Sequence, residues 1–138
     1  MRILLSGLIL STLLAGPALA QDVAAGETVF RKCMSCHAIG EGAANKVGPE
    51  LNALIGRVAG SHADYNYSKA MVEAGAGGLV WTAETLAPFL TKPRDVVKGT
   101  KMTFAGLSNP DDVANVIAYL TTFSPDAAAA PAAAPAAQ

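Results

Sequence analysis

Five consecutive residues, Cys33-Met34-Ser35-Cys36-His37, hold both cysteines of the chain and one of its two histidines. Two thiols two residues apart, with an imidazole directly after, leave few structures that can be built around them. A disulfide alone would not require His37. A thioredoxin-like redox pair needs a βαβ pattern nearby, and none flanks this motif. A zinc site takes four ligands. The nitrogen and sulfur donors are Cys33, Cys36, His37 and His62, with Cys36 and His37 adjacent and no second pair at metal-binding spacing. The spacing C-x-x-C-H is that of covalent haem attachment. Each thiol adds to one vinyl group of the porphyrin as a thioether, and the histidine that follows can turn its ring under the iron. The expected cofactor is one haem c, joined through Cys33 and Cys36, with His37 on the metal.

An electron-carrying haem iron takes a second axial ligand. Apart from Met1, the methionines are Met34, Met71 and Met102. Met34 lies inside the attachment motif, too close to reach the opposite haem face. Met71 falls in a helical pattern and reads as core. Met102 lies in the loop Lys98-Gly99-Thr100-Lys101-Met102-Thr103-Phe104, far from His37 in sequence, where a loop can fold over the distal face. His62, in Gly60-Ser61-His62-Ala63, is the rival. Met102 is the preferred ligand.

The two ends differ from the middle. Arg2, the apolar run Ile3–Leu14, the breakers Gly16 and Pro17, and Ala18-Leu19-Ala20 together read as a secretory signal peptide over 1–20, cleaved before Gln21. The alternative is an uncleaved anchor, but the run is short for a membrane span. Export places the protein in the periplasm. Removing the leader takes away Arg2 and no acid, so the formal charge moves from −1 to −2. That balance argues against a nucleic-acid binder. Residues 124–138 are almost wholly alanine and proline and read as a disordered tail. A single domain remains over 21–123.

Within that domain four helices are expected. Asp22 caps the first, which carries Gly26, Val29 and Phe30 toward Cys33. A short one runs from Tyr67 to Ala74 and stops at Gly75. A third begins after Thr82 and ends before Pro93, with Pro88 expected to kink or shorten it. The last has Asn109 as N-cap, Pro110 at the first helical position and Asp111 and Asp112 in the first turn. Its Val113, Val116, Ile117 and Leu120 form one apolar stripe. Residues 38–66 form a long loop rich in Gly, Asn and Pro. Short helices and long loops leave a sparse core at this size, so something large and apolar must fill the middle.

Several segments in order resemble class I cytochromes c, specifically the bacterial cytochrome c2 group close to mitochondrial cytochrome c. They are Gly26 and Phe30, Cys33 to His37, Val47-Gly48-Pro49-Glu50-Leu51, Gly56-Arg57, Trp81, Pro93, Gly99 to Gly106, and Ile117-Ala118-Tyr119-Leu120. The resemblance covers Asp22 to Phe123. It implies an all-α fold of short helices and long loops wrapped around one covalent haem. It implies His37 and Met102 as axial ligands, with the Pro49 carbonyl accepting the other ring N–H of His37. Tyr67 and Trp81 would bond a buried haem propionate, with Arg57 as compensating charge. Gly26 and Phe30 would pack against Tyr119 where the first and last helices cross. Phe89 stands where relatives often carry a tyrosine beside the methionine.

With both axial positions filled, the iron has no open site, so the expected function is single-electron transfer by a soluble monomer and not catalysis. An enzyme or gas sensor with a labile sixth ligand, and a detached module of a larger complex, are the alternatives. By resemblance, the partners are a cytochrome bc1 complex as donor and a photosynthetic reaction centre or haem oxidase as acceptor. Lys32, Lys92, Lys98 and Lys101, with Arg94, would ring the exposed haem edge and steer docking on acidic surfaces.

Overall fold

The structure, a computed structural model, describes residues 21–125. The expected leader and nearly all of the expected tail lie outside these residues. The described residues form five helices joined by long loops, with no strand among them beyond an isolated antiparallel bridge between Val58 and Val80. No helix among them is long and apolar enough to cross a membrane.

Helix α1 spans Val23–Phe30, and the Asp22 carboxylate caps it by accepting from the Ala25 N–H at 3.0 Å. Helix α5 spans Pro110–Thr121, with Asn109 accepting from the Asp111 N–H at 2.9 Å. Both match the sequence signals. The two helices make the most extensive helix–helix contact of the fold. Gly26 allows it: a Cβ there would lie 2.0 Å from the Asn115 carbonyl oxygen and 2.9 Å from the Tyr119 Cβ. Without that Cβ the backbones approach closely. Phe30 then meets Tyr119 with ring centroids 5.4 Å apart, inside the range of favourable aromatic pairs.

Helix α2 spans Lys69–Ala76 rather than 67–74. Ser68 starts it by accepting from the Met71 N–H, which leaves Tyr67 in the preceding loop. Gly75 does not stop it, because Gly75 is buried against the Ala59 carbonyl and the helix continues one residue past it. Helix α3 spans Ala83–Thr91, opened by a capping box between Thr82 and Thr85. Pro88 sits inside α3 without cutting it short. The carbonyl it deprives of a donor is that of Glu84, four residues back, and both residues are exposed, where water serves. A further short helix, α4, spans Pro93–Val96 and begins on its proline. The packed domain also reaches one residue beyond the expected boundary. Ser124 is only 3% exposed, and its hydroxyl accepts from the Ile55 N–H at 3.1 Å.

Candidate functional site

Helices α1, α2, α3 and α5 and the loops between them line a cavity of about 320 Å³. That size falls within the roughly 300–1,000 Å³ of small-molecule and cofactor sites. Ten of the fifteen buried apolar side chains of the core also line it, among them Phe30, Leu54, Trp81, Leu86, Phe89 and Leu120. Most of the core thus has one side on the cavity, and a large apolar group would complete it.

The attachment motif is in the turns that follow α1. Cys33 and Cys36 are free thiols, both half-buried, and both line the cavity with His37. Burial pushes the Cys33 thiol above its ordinary range, while the neighbouring Lys32 ammonium pulls the other way. His37 Nδ1 lies 2.7 Å from the Pro49 carbonyl oxygen. A carbonyl only accepts, so Nδ1 carries the proton and Nε2 keeps its lone pair. Burial holds the ring's pKa below the ordinary histidine value; the Pro49 bond opposes this and Lys46 adds to it. The imidazole is therefore neutral near pH 7, the form that ligates metals.

Two methionines line the cavity, Met71 from α2 and Met102 from the loop before α5. Met71 is buried in the core, as expected, and Met102 is half-buried. A side chain of the same loop braces Met102: its backbone N–H donates to Thr100 Oγ1 at 3.2 Å. Met34 is 53% exposed and is not among the lining residues. His62 is not there either; its Nε2 lies 3.3 Å from a Glu50 carboxylate oxygen. No group of three or more His, Cys, Asp or Glu side chains among the described residues could hold a metal ion.

Arg57, Tyr67 and Trp81 all line the cavity, as does Pro49. The Arg57 guanidinium donates to the Glu50 carbonyl at 3.3 Å. Burial raises the Tyr67 pKa, with Arg57 the main opposing influence. Trp81 packs on Phe89 with centroids 4.8 Å apart. Three contributions escaped sequence reasoning. Tyr65 stands edge-on to Tyr67 and donates to the Val47 carbonyl at 2.6 Å. Thr100 braces Met102. Gly48 is buried directly against the His37 ring.

Two of the lysines expected at the rim do line the cavity, Lys32 and Lys101. Neither is free of partners. Lys32 pairs with Asp112 on α5 at 3.1 Å, and Lys101 donates to the Asn66 carbonyl at 2.7 Å. Lys92 and Lys98 are exposed and do not line the cavity.

The donor set fits a haem: two thiols at the attachment spacing, a neutral imidazole, a thioether, and largely apolar walls with a few polar groups. The family profile described as cytochrome c matches residues 23–124. The chain is 58% identical over 99 residues to a cytochrome c2 of Agrobacterium tumefaciens (strain II Chrys), covering 72% of this chain and 89% of that one. It is 52% identical over 103 residues to a cytochrome c-550 of Ancylobacter novellus, covering 75% and 96%. Among solved structures, cytochrome c2 of Rhodospirillum centenum superposes with a TM-score of 0.73 at 39% identity, over 75% of this chain and 99% of that one.

Proposed function

The chain belongs to the cytochrome c family, electron carriers with covalently bound haem c, and from that membership we propose a periplasmic shuttle for single electrons in which His37 and Met102 are the axial ligands. The observation that carries the reading is the lining of one cavity by Cys33, Cys36, His37 and Met102 together. Bound haem supplies an iron that alternates between Fe(II) and Fe(III). The protein's residues decide how readily it does so. The Pro49 carbonyl orients His37 and makes its ring a better donor. Met102 offers a neutral, soft sulfur, and methionine–histidine ligation raises the potential. The wall of Trp81, Leu86, Phe89 and Leu90 keeps water out and disfavours the extra charge of the oxidised state. Tyr67, Trp81 and Arg57 are the candidates to hold a buried propionate.

The donor is a cytochrome bc1-type complex, and the acceptor a photosynthetic reaction centre or a haem oxidase. Lys92, Lys98 and Lys101 draw the carrier to acidic docking surfaces. Lys32, engaged by Asp112, contributes less to that field than its sequence position implies.

Single replacements of His37, Met102 and Met71 test the assignment in the exported protein. M102A is expected to abolish the red absorption band of methionine-ligated ferric haem and to lower the potential, while M71L keeps both. H37A is expected to lose the native axial spectrum. Loss of the sulfur band in M71L with its retention in M102A would refute the ligand assignment. A purified mass equal to the bare polypeptide would refute covalent attachment.

A further inference from the structure

The stretch 46–51 runs beside the attachment motif and is tied to it on both sides of His37. The Gly48 N–H donates to the Cys36 carbonyl at 2.7 Å, and the Leu51 N–H donates to the Ala38 carbonyl at 2.9 Å. Between these ties His37 Nδ1 meets the Pro49 carbonyl at 2.7 Å. The imidazole is pressed against the backbone of residue 48. A Cβ there would lie 2.4 Å from Cε1, 2.7 Å from Nδ1 and 2.9 Å from Nε2 of the ring. Nonbonded carbon atoms rest about 3.5–4.0 Å apart, so the ring would have to withdraw by about 1 Å. Gly48 is not among the positive-φ residues. No left-handed backbone demands glycine there, and the three atoms nearest an added Cβ all belong to the His37 ring.

We propose that Gly48 is a positioning residue for the nitrogen ligand: its missing side chain sets the plane and tilt of the His37 imidazole in the cavity and keeps Nδ1–H on the Pro49 carbonyl. This rests on His37 being the ligand. The second-sphere bond makes the ring more basic, which stabilises Fe(III). Displacing the ring weakens that bond and so favours Fe(II). An alanine at residue 48 therefore raises the reduction potential.

The test compares the holoprotein variants G48A and G77A with wild type. Gly77 is the matched control, since its φ is −78° and an added Cβ meets nothing nearer than 3.4 Å. Redox titration gives the potential. Proton NMR of the ferric form gives the haem-methyl shifts, whose spread follows the orientation of the axial imidazole. G48A is expected to raise the potential and reorder the methyl shifts, and G77A to do neither. A G48A protein with wild-type potential and methyl pattern, even one that melts lower, overturns the proposal. H37A, measured in parallel, separates the two layers. An H37A axial spectrum like that of wild type refutes the ligand assignment itself, whereas an altered one beside an unchanged G48A refutes only the positioning. If G48A yields no holoprotein, V47G/G48A is the second variant. Val47 lines the cavity as well, so V47G alone is made beside it as the control for lost packing; in the double variant the loosened backbone can retreat from the ring. Recovery of holoprotein in the double variant supports the steric account, and continued absence overturns it.

Discussion

Replacing Gly26 with alanine sets two opposing effects against each other, and the structure decides the sign. Alanine is the better helix former by up to about 1 kcal/mol, so in a helix that touched nothing G26A would stabilise. Gly26 is buried on α1, and the new Cβ would fall 2.0 Å from the Asn115 carbonyl oxygen and 2.6 Å from the Asn115 carbonyl carbon. Both are backbone atoms of α5 and cannot swing aside. The helices must part by more than 1 Å, which loosens the Phe30–Tyr119 pair and the Asp22 N–H bond to the Asn115 side chain. Overpacking of this kind costs about 1–3 kcal/mol, and a well-placed aromatic pair contributes about 0.5–1.5 kcal/mol. The net loss is on the order of 2 kcal/mol. For a domain of this size that lowers Tm by roughly 10 °C. The assay is thermal unfolding of the ferric holoprotein followed by far-ultraviolet circular dichroism, with E27A, an exposed neighbour, as control. A G26A protein as stable as wild type, or more so, would refute the close-contact argument.

Removing the haem is expected to abolish most helical signal and the cooperative melt, because most of the core lines the cavity; circular dichroism of the apoprotein checks this, and native helix content would contradict it. N109A should cost about 1 kcal/mol in denaturant unfolding, since it leaves the Asp111 N–H without its cap. Tyr67 gives a pH dependence. Burial disfavours its phenolate in the fold, so the native state keeps the phenol proton to higher pH than the unfolded chain. Its contribution to stability is full below about pH 10 and is lost as pH rises through the raised folded value. Unfolding of Y67F followed against pH should show a shallower alkaline decline than wild type, and identical slopes would count against the effect.

The parts of the fold written in local chemistry were legible in the sequence. Asp22 and Asn109 each sit one residue ahead of a helix, and their side chains cap it as read. The attachment motif named its own chemistry, and Met102, the sulfur expected opposite it, lines the same cavity. What escaped depends on contacts between distant segments. Gly75 reads locally as a stop, yet its proximity to Ala59 makes it a packing residue within α2. Lys32 reads as a free surface charge, but Asp112, 80 residues away, engages it. Gly48 stands in the sequence among the residues that carry the resemblance, with no role of its own until the His37 ring is placed against it. The start of α2 differs in kind: its signal is local, since Ser68, a good N-cap residue, stands one position after the expected start at Tyr67.

The pairing of the first helix with the last has a consequence for when the molecule can close. A chain produced or threaded from its N-terminus exposes α1 long before α5 exists, and Asp22 waits for an acceptor 93 positions later. Until then the five-residue attachment segment has no finished wall behind it, and its thiols stay open to chemistry. Completion of the domain needs the final stretch of polypeptide, so the first and last helices cannot close on one another until nearly the whole chain is present.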